Sequence, residues 1–176
     1  MVGPVAKILI AAVLMYVSTV LHEVAHYLAA AHYGISGAYI RVVSVGGVPS
    51  LAYTYVPVES GHMAIYLPPI ALAGPLMSLM LSTVMAAVMK ALDDWASGLV
   101  ASVNAALCAT NTFPSFEMVN FSFRILPLND GGKAIYYASM YPGMHVLCWA
   151  LVLIIVSLSV VIIAYGIKYI TLPFVE

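Results

Sequence analysis

Charge is what this sequence has least of. Six lysines and arginines and seven aspartates and glutamates make up 7% of its 176 residues, where a soluble protein carries about a quarter. So small a supply cannot cover a water-facing surface. With 64% of residues hydrophobic and a mean hydropathy of +1.05, the composition is that of an integral membrane protein. The two signs nearly balance, giving a net charge of -1, so there is no basic surface for nucleic acid. Only two cysteines occur, Cys108 and Cys148. Both stand in apolar segments, which argues against a disulfide framework or a cysteine-rich metal site and for small buried apolar residues. Internal repeats, low-complexity tracts and an appended soluble domain are also lacking, so 1–176 reads as a single membrane domain.

What is there instead is a series of long apolar runs. Val5 to Tyr33 is the first span, longer than the roughly twenty residues that cross a bilayer; it exceeds a signal-peptide core and is expected to stay in the mature protein. Gly34 is its expected C-cap. Between Gly37 and Pro57 the periodicity changes. Residues 38–45 and 50–56 are rich in β-branched and aromatic types and are separated by Gly46-Gly47, which predicts a β-hairpin at the membrane surface. The alternative is an ordinary interhelical connection. Met63 to Met89, uncharged, is the second span; Trp95 to Phe116, interrupted by Ser97, Ser102, Asn104 and Asn111, is the third. A short helix after Gly132 can precede the break at Pro142-Gly143, and Met144 to Ile167 is the fourth. The expected fold is an all-α polytopic membrane protein of about four transmembrane helices, with a short hairpin after the first.

Polar residues inside such spans are functional candidates, because burying each in lipid costs on the order of 2.5 to 3.5 kcal/mol. His22, Glu23 and His26 form an HExxH motif in the first span. Residues i and i+4 share one helix face, so both imidazoles can reach one metal ion while Glu23 faces its remaining coordination position. Catalytic zinc uses three protein ligands and a water, and imidazole suits it.

Threading supplies the third ligand. The first span delivers its motif end to one side of the membrane, the second returns, and the third brings the chain back beside the motif with Asp130, the only acidic residue between Glu117 and Glu176. Two imidazoles, one carboxylate and a water would then complete a single zinc site. Competing ligands are weaker. His32 lies where a metzincin-type motif would place a third histidine, but Ala29-Ala30-Ala31 continues the helix and turns it about 240° away from His26. His62 and His145 begin spans, where an interfacial imidazole needs no special role. Glu117 ranks second as a carboxylate because it lacks the glycine context of Asp130.

These residues resemble the site-2 protease family of intramembrane zinc metalloproteases. The likeness rests on His22-Glu23-Val24-Ala25-His26 with Gly34-Ile35, on Ala73-Gly74-Pro75, and on Leu126-Pro127-Leu128-Asn129-Asp130-Gly131-Gly132, and covers most of the chain. The family usually has leucine where Asn129 stands and asparagine where Ser78 stands. It also carries an asparagine, several residues before the aspartate, that helps to hold the substrate backbone; Asn120 is nearest, with Asn111 the other candidate. The resemblance implies a near-minimal catalytic core that cuts a peptide bond in or near the transmembrane segment of a membrane-protein substrate, with zinc toward the cytosolic side. Loop charges do not decide orientation, since Lys7, Lys90 and Lys168 fall on one side and Arg41, Arg124 and Lys133 on the other.

The chemistry expected from the residues alone is hydrolysis by a zinc-activated water with Glu23 as general base. The polar run 120–132 would line the path of water to the site. The competing function is a membrane metal-binding or transport protein, which would use His22, His26 and Asp130 without needing Glu23. Paired halves with corresponding broken helices, common in transporters, are not evident.

Overall fold

A computed structural model describes residues 3–45, 48–57, 63–119 and 124–171. In chain order the elements are α1 (Pro4–His32), β1 (Tyr39–Val45), β2 (Val48–Tyr55), a 3-10 turn at Met63–Tyr66, α2 (Leu67–Leu92), α3 (Trp95–Thr112), β3 (Phe116–Val119), β4 (Arg124–Pro127), α4 (Asp130–Ala138) and α5 (Pro142–Thr171).

Local chemistry sets the helix ends. Pro4 opens α1, where its missing N–H would have had no helical partner in any case. Past the end of α1, Gly34 takes a left-handed φ of 70, and the Ile35 N–H bonds back to the Ala30 carbonyl at 3.0 Å, a glycine-closed terminus. The Asp94 carboxylate caps α3 by accepting from the Ser97 N–H at 3.1 Å.

Helices α1, α2 and α5 are long and apolar enough to cross a membrane. Large aliphatic side chains stand exposed along α1 (Ile8, Leu9, Val13) and α5 (Val146, Leu153, Val161), as lipid-facing surfaces would. The expected third span forms as α3 but is not among those three. Its 18 residues run about 27 Å, and its hydropathy is lowered by the serines and asparagines noted above. The reason is packing. Helix α3 lies against both α2 and α5, burying Val100, Ala101, Ala105 and Cys108, and all but one of the polar residues noted above find protein partners, Ser102 Oγ being buried without one. Asn104 Nδ2 donates to the Ser78 carbonyl at 3.2 Å. A helix enclosed by protein has no need of a uniformly apolar exterior.

The hairpin expected after the first helix is present. Strands β1 and β2 are antiparallel with Tyr39 opposite Tyr55 and a bulge at Val43/Ser44. Ala38 and Val56 pack it on the small core of Ala30, Ile35 and Ile70, and the Thr54 hydroxyl donates to the Glu23 carbonyl at 2.7 Å. A second hairpin was not expected. Strands β3 and β4 pair with Phe116 opposite Pro127, so the proline sits at a strand end, where its missing N–H costs little. The larger core is built from Ala71 and Leu72 of α2, Cys108 of α3, Ala134 and Ile135 of α4 and Ile155 of α5. It fixes α4 against α2 and so sets the position of Asp130.

Candidate metal centre

His22 and His26 lie one turn apart on the buried face of α1 that meets α2. Helix α2 comes close there only because residue 74 is glycine. A Cβ at Gly74 would collide with the Nε2 atoms of both imidazoles. Each ring is held from behind. His26 Nδ1 donates to the Ile70 carbonyl at 2.6 Å, and a carbonyl can only accept, so the neutral ring carries its proton on Nδ1 and presents a lone pair at Nε2. His22 Nδ1 lies 2.9 Å from Ser78 Oγ, which orients that ring in the same sense.

Asp130, the first residue of α4, closes the third side. Its Oδ2 is 3.0 Å from His22 Nε2 and 3.2 Å from His26 Nε2, and the two Nε2 atoms are 3.2 Å apart. All three residues are buried. Burial opposes ionisation of Asp130, but when the imidazoles carry protons on Nε2 their hydrogen bonds, together with the Lys133 ammonium, hold its carboxyl well below the usual carboxylate range. Two ring nitrogens and a carboxylate oxygen converge on one point, an arrangement that shared protons or a shared cation makes favourable. Among the described residues this cluster can hold a metal ion.

The approach of α4 to α3 again depends on glycine. A Cβ at Gly131 would run into the Thr112 carbonyl, and one at Gly132 would lie 2.6 Å from the Ser115 carbonyl oxygen. From α3, Asn111 reaches the cluster. Its Nδ2 donates to Asp130 Oδ2 at 2.7 Å and lies 3.1 Å from His22 Nε2. Glu23 is half-buried and lines, with His26, Asn111, Asp130, Lys133 and Tyr137, an open cleft of ≈ 440 Å³ whose opposite wall is Tyr53 to Val56. The cleft therefore lies between α1, α3, α4 and the end of β2.

The other sequence candidates fall elsewhere. His32 is exposed, its ring edge-on to that of Tyr33 at 5.2 Å. His145, in the first turn of α5, accepts from Trp149 Nε1 at 3.1 Å. The Glu117 backbone pairs with Leu126 in the second hairpin. Asn120 and His62 lie outside the described residues. Sequence reasoning missed the supporting groups. Ser78 and the Ile70 carbonyl are 56 and 44 residues from the imidazoles they hold; the sequence marked Ser78 only as a departure from the resembled family, with no sign of its partner.

No family model matches the chain, and neither a curated protein nor a solved structure matches it.

Proposed function

We propose that the protein is an intramembrane zinc metalloprotease of the kind its motifs resemble, the site-2 protease family, acting on the transmembrane segment of a membrane-protein substrate. The observation that carries this reading is the buried His22, His26 and Asp130 cluster opening onto a cleft whose wall includes Glu23. Zinc fits the donor set. A tetrahedral ion with bonds of about 2.0 to 2.1 Å separates its ligands by roughly 3.3 Å, against 3.0 to 3.2 Å among these three donors. Bound there, zinc supplies a water of lowered pKa and a Lewis acid for the scissile carbonyl.

The chain's own residues do the rest. Glu23 takes the proton from the attacking water and passes it to the leaving amine. The Ile70 carbonyl keeps His26 in the ligating tautomer, and Ser78 Oγ does the same for His22 when it accepts from Nδ1. Asn111, its amide already at the cluster, donates to the carbonyl oxygen of the bound peptide. The outer edge of β2 offers unpaired backbone groups to an extended substrate strand beside the site, and this requires the substrate helix to unwind locally. In this reading α3 also crosses the membrane, third in chain order and shielded from lipid by α2 and α5, which makes four crossings, and the zinc site faces the cytosol.

The test compares wild type with Glu23→Gln, purified in detergent, for zinc content and for cleavage of single-span substrates with stable and destabilised helices. Both proteins should hold about one zinc; wild type alone should cut, faster in destabilised helices, and the variant should lose on the order of a hundredfold or more. Retained zinc with no cleavage by either protein, and metal movement across vesicle membranes by wild type, would overturn the protease reading in favour of transport.

A further inference from the structure

The residue before Asp130 joins two helix ends with one side chain. Asn129 is the N-cap of α4, its Oδ1 accepting from the Gly132 N–H at 2.9 Å. The same oxygen accepts from the Ser115 N–H at 3.1 Å. Its Nδ2 donates in the other direction, to the carbonyls of Thr110 at 2.9 Å and Phe113 at 2.6 Å. Carbonyls at a helix C-terminus lack intrahelical partners, as do N–H groups at an N-terminus. One amide therefore satisfies both, and it is the only neutral group of its size that offers two donors and a two-lone-pair acceptor.

The placement matters because of what lies on either side. Thr110 and Phe113 bracket Asn111 on α3, and Asn129 directly precedes Asp130 on α4. Asn111 and Asp130 are the two groups that close the metal cluster from the side opposite α1. We propose that Asn129 is a positioning residue, an amide staple that fixes the α3 C-terminus to the α4 N-terminus and thereby sets Asp130 and Asn111 against the two imidazoles. The inference rests on the metal-site reading for its consequence, though the staple is a feature of the fold.

An N-cap role and a staple role make different demands. Serine and aspartate cap as well as asparagine, but serine has a single O–H and an ionised aspartate has no donor, so neither can donate to the Thr110 and Phe113 carbonyls together. The experiment uses Asn129→Ser and Asn129→Asp in the full chain, with a monodisperse elution profile and a cooperative melt as evidence of folding. Two properties are read. One is the affinity for Co²⁺ with its visible spectrum; the other is amide exchange at Leu128, whose N–H bonds to the Ser115 carbonyl at 3.0 Å without the help of Asn129. The staple predicts, in both variants, a loss of Co²⁺ affinity of roughly tenfold to a hundredfold, an altered ligand-field spectrum, and faster exchange at Leu128. Wild-type affinity, spectrum and exchange in the serine and aspartate variants would overturn it and leave a simple cap. If wild type itself binds no cobalt, the metal reading fails, and Leu128 exchange alone decides the staple: faster in the variants upholds it, unchanged refutes it.

Discussion

Two clefts of nearly equal size, ≈ 440 and ≈ 410 Å³, occupy different levels of the helical bundle. The first opens at His26 and Asp130. The second lies fifteen residues back along α1 from His22, about 22 Å away, where Lys7 pairs with Asp94 and Ile10, Leu14, Leu92 and Val100 complete the lining. Both hold a buried or half-buried carboxylate beside a cationic or cation-accepting partner. In the second cleft cation and anion neutralise each other, so the group is complete as it stands. In the first, Lys133 pairs with Asp130 Oδ1 at 3.5 Å, yet Oδ2 and the two Nε2 atoms still converge on one point, and α2 and α4 approach over glycines, Gly74 and Gly131. Size does not separate the two; convergence of donors does.

The comparison predicts unequal responses to substitution. His22→Ala, His26→Ala or Asp130→Ala should each lower zinc affinity on the order of a thousandfold, measured by chelator competition. Near-wild-type affinity in any of the three would make the first cleft no different in kind from the second. Gly74→Ala puts a methyl group on the line of both Nε2 atoms, and should reduce affinity about a hundredfold while the protein still folds. Ser78→Ala removes only the partner of His22 Nδ1 and should cost roughly tenfold; a loss as large as that of His22→Ala would mean that the serine is itself a ligand.

The smallest effect belongs to the second cleft. Asp94→Asn keeps the cap on α3 but removes the ion pair, and should cost about 1 kcal/mol or less in thermal unfolding. Asp94→Ala, which loses cap and pair together, should cost about 1 kcal/mol more. Burial works against the Asp94 charge, but its bonds from Lys7 and Ser97 outweigh this and lower its pKa in the folded protein. Its contribution is therefore complete above the ordinary carboxylate value of about 4 and fades as pH falls through the lower folded value. The difference between wild type and Asp94→Asn should shrink at acid pH. Growth of that difference would reverse the sign and refute the pairing.

The cluster was legible in sequence because its parts obey strong local and topological rules. The i, i+4 spacing puts His22 and His26 on one face, and the threading expected from the apolar runs put Asp130 on their side. The first hairpin was legible from β-branched runs broken by Gly46-Gly47. Helix α3 was legible as a helix, but its depth was not, because hydropathy reports composition and not what surrounds a segment. Its lowered apolarity reflects burial against α2 and α5. The second hairpin hid behind Pro127, which reads as irregular chain until the partner strand is known. Asn129 carried the opposite lesson. In sequence it was a departure from the resembled motif; in three dimensions its amide joins four backbone groups at the α3 C-terminus, the segment that follows it and the α4 N-terminus. The resemblance marked position 78, but a long-range pairing such as that of Ser78 with His22 leaves no local pattern, so only the folded chain reveals it.

The central claim is that one metal ion sits among His22, His26 and Asp130. X-ray absorption at the zinc edge, on protein purified in detergent with its zinc-to-chain ratio measured, tests this most directly. The expected result is about one zinc per chain, with two imidazole nitrogens and light oxygen donors near 2.0 to 2.1 Å, and loss of the imidazole signature in a His22→Ala, His26→Ala double variant. No stoichiometric zinc in wild type, or an unchanged imidazole signature in the double variant, would contradict it.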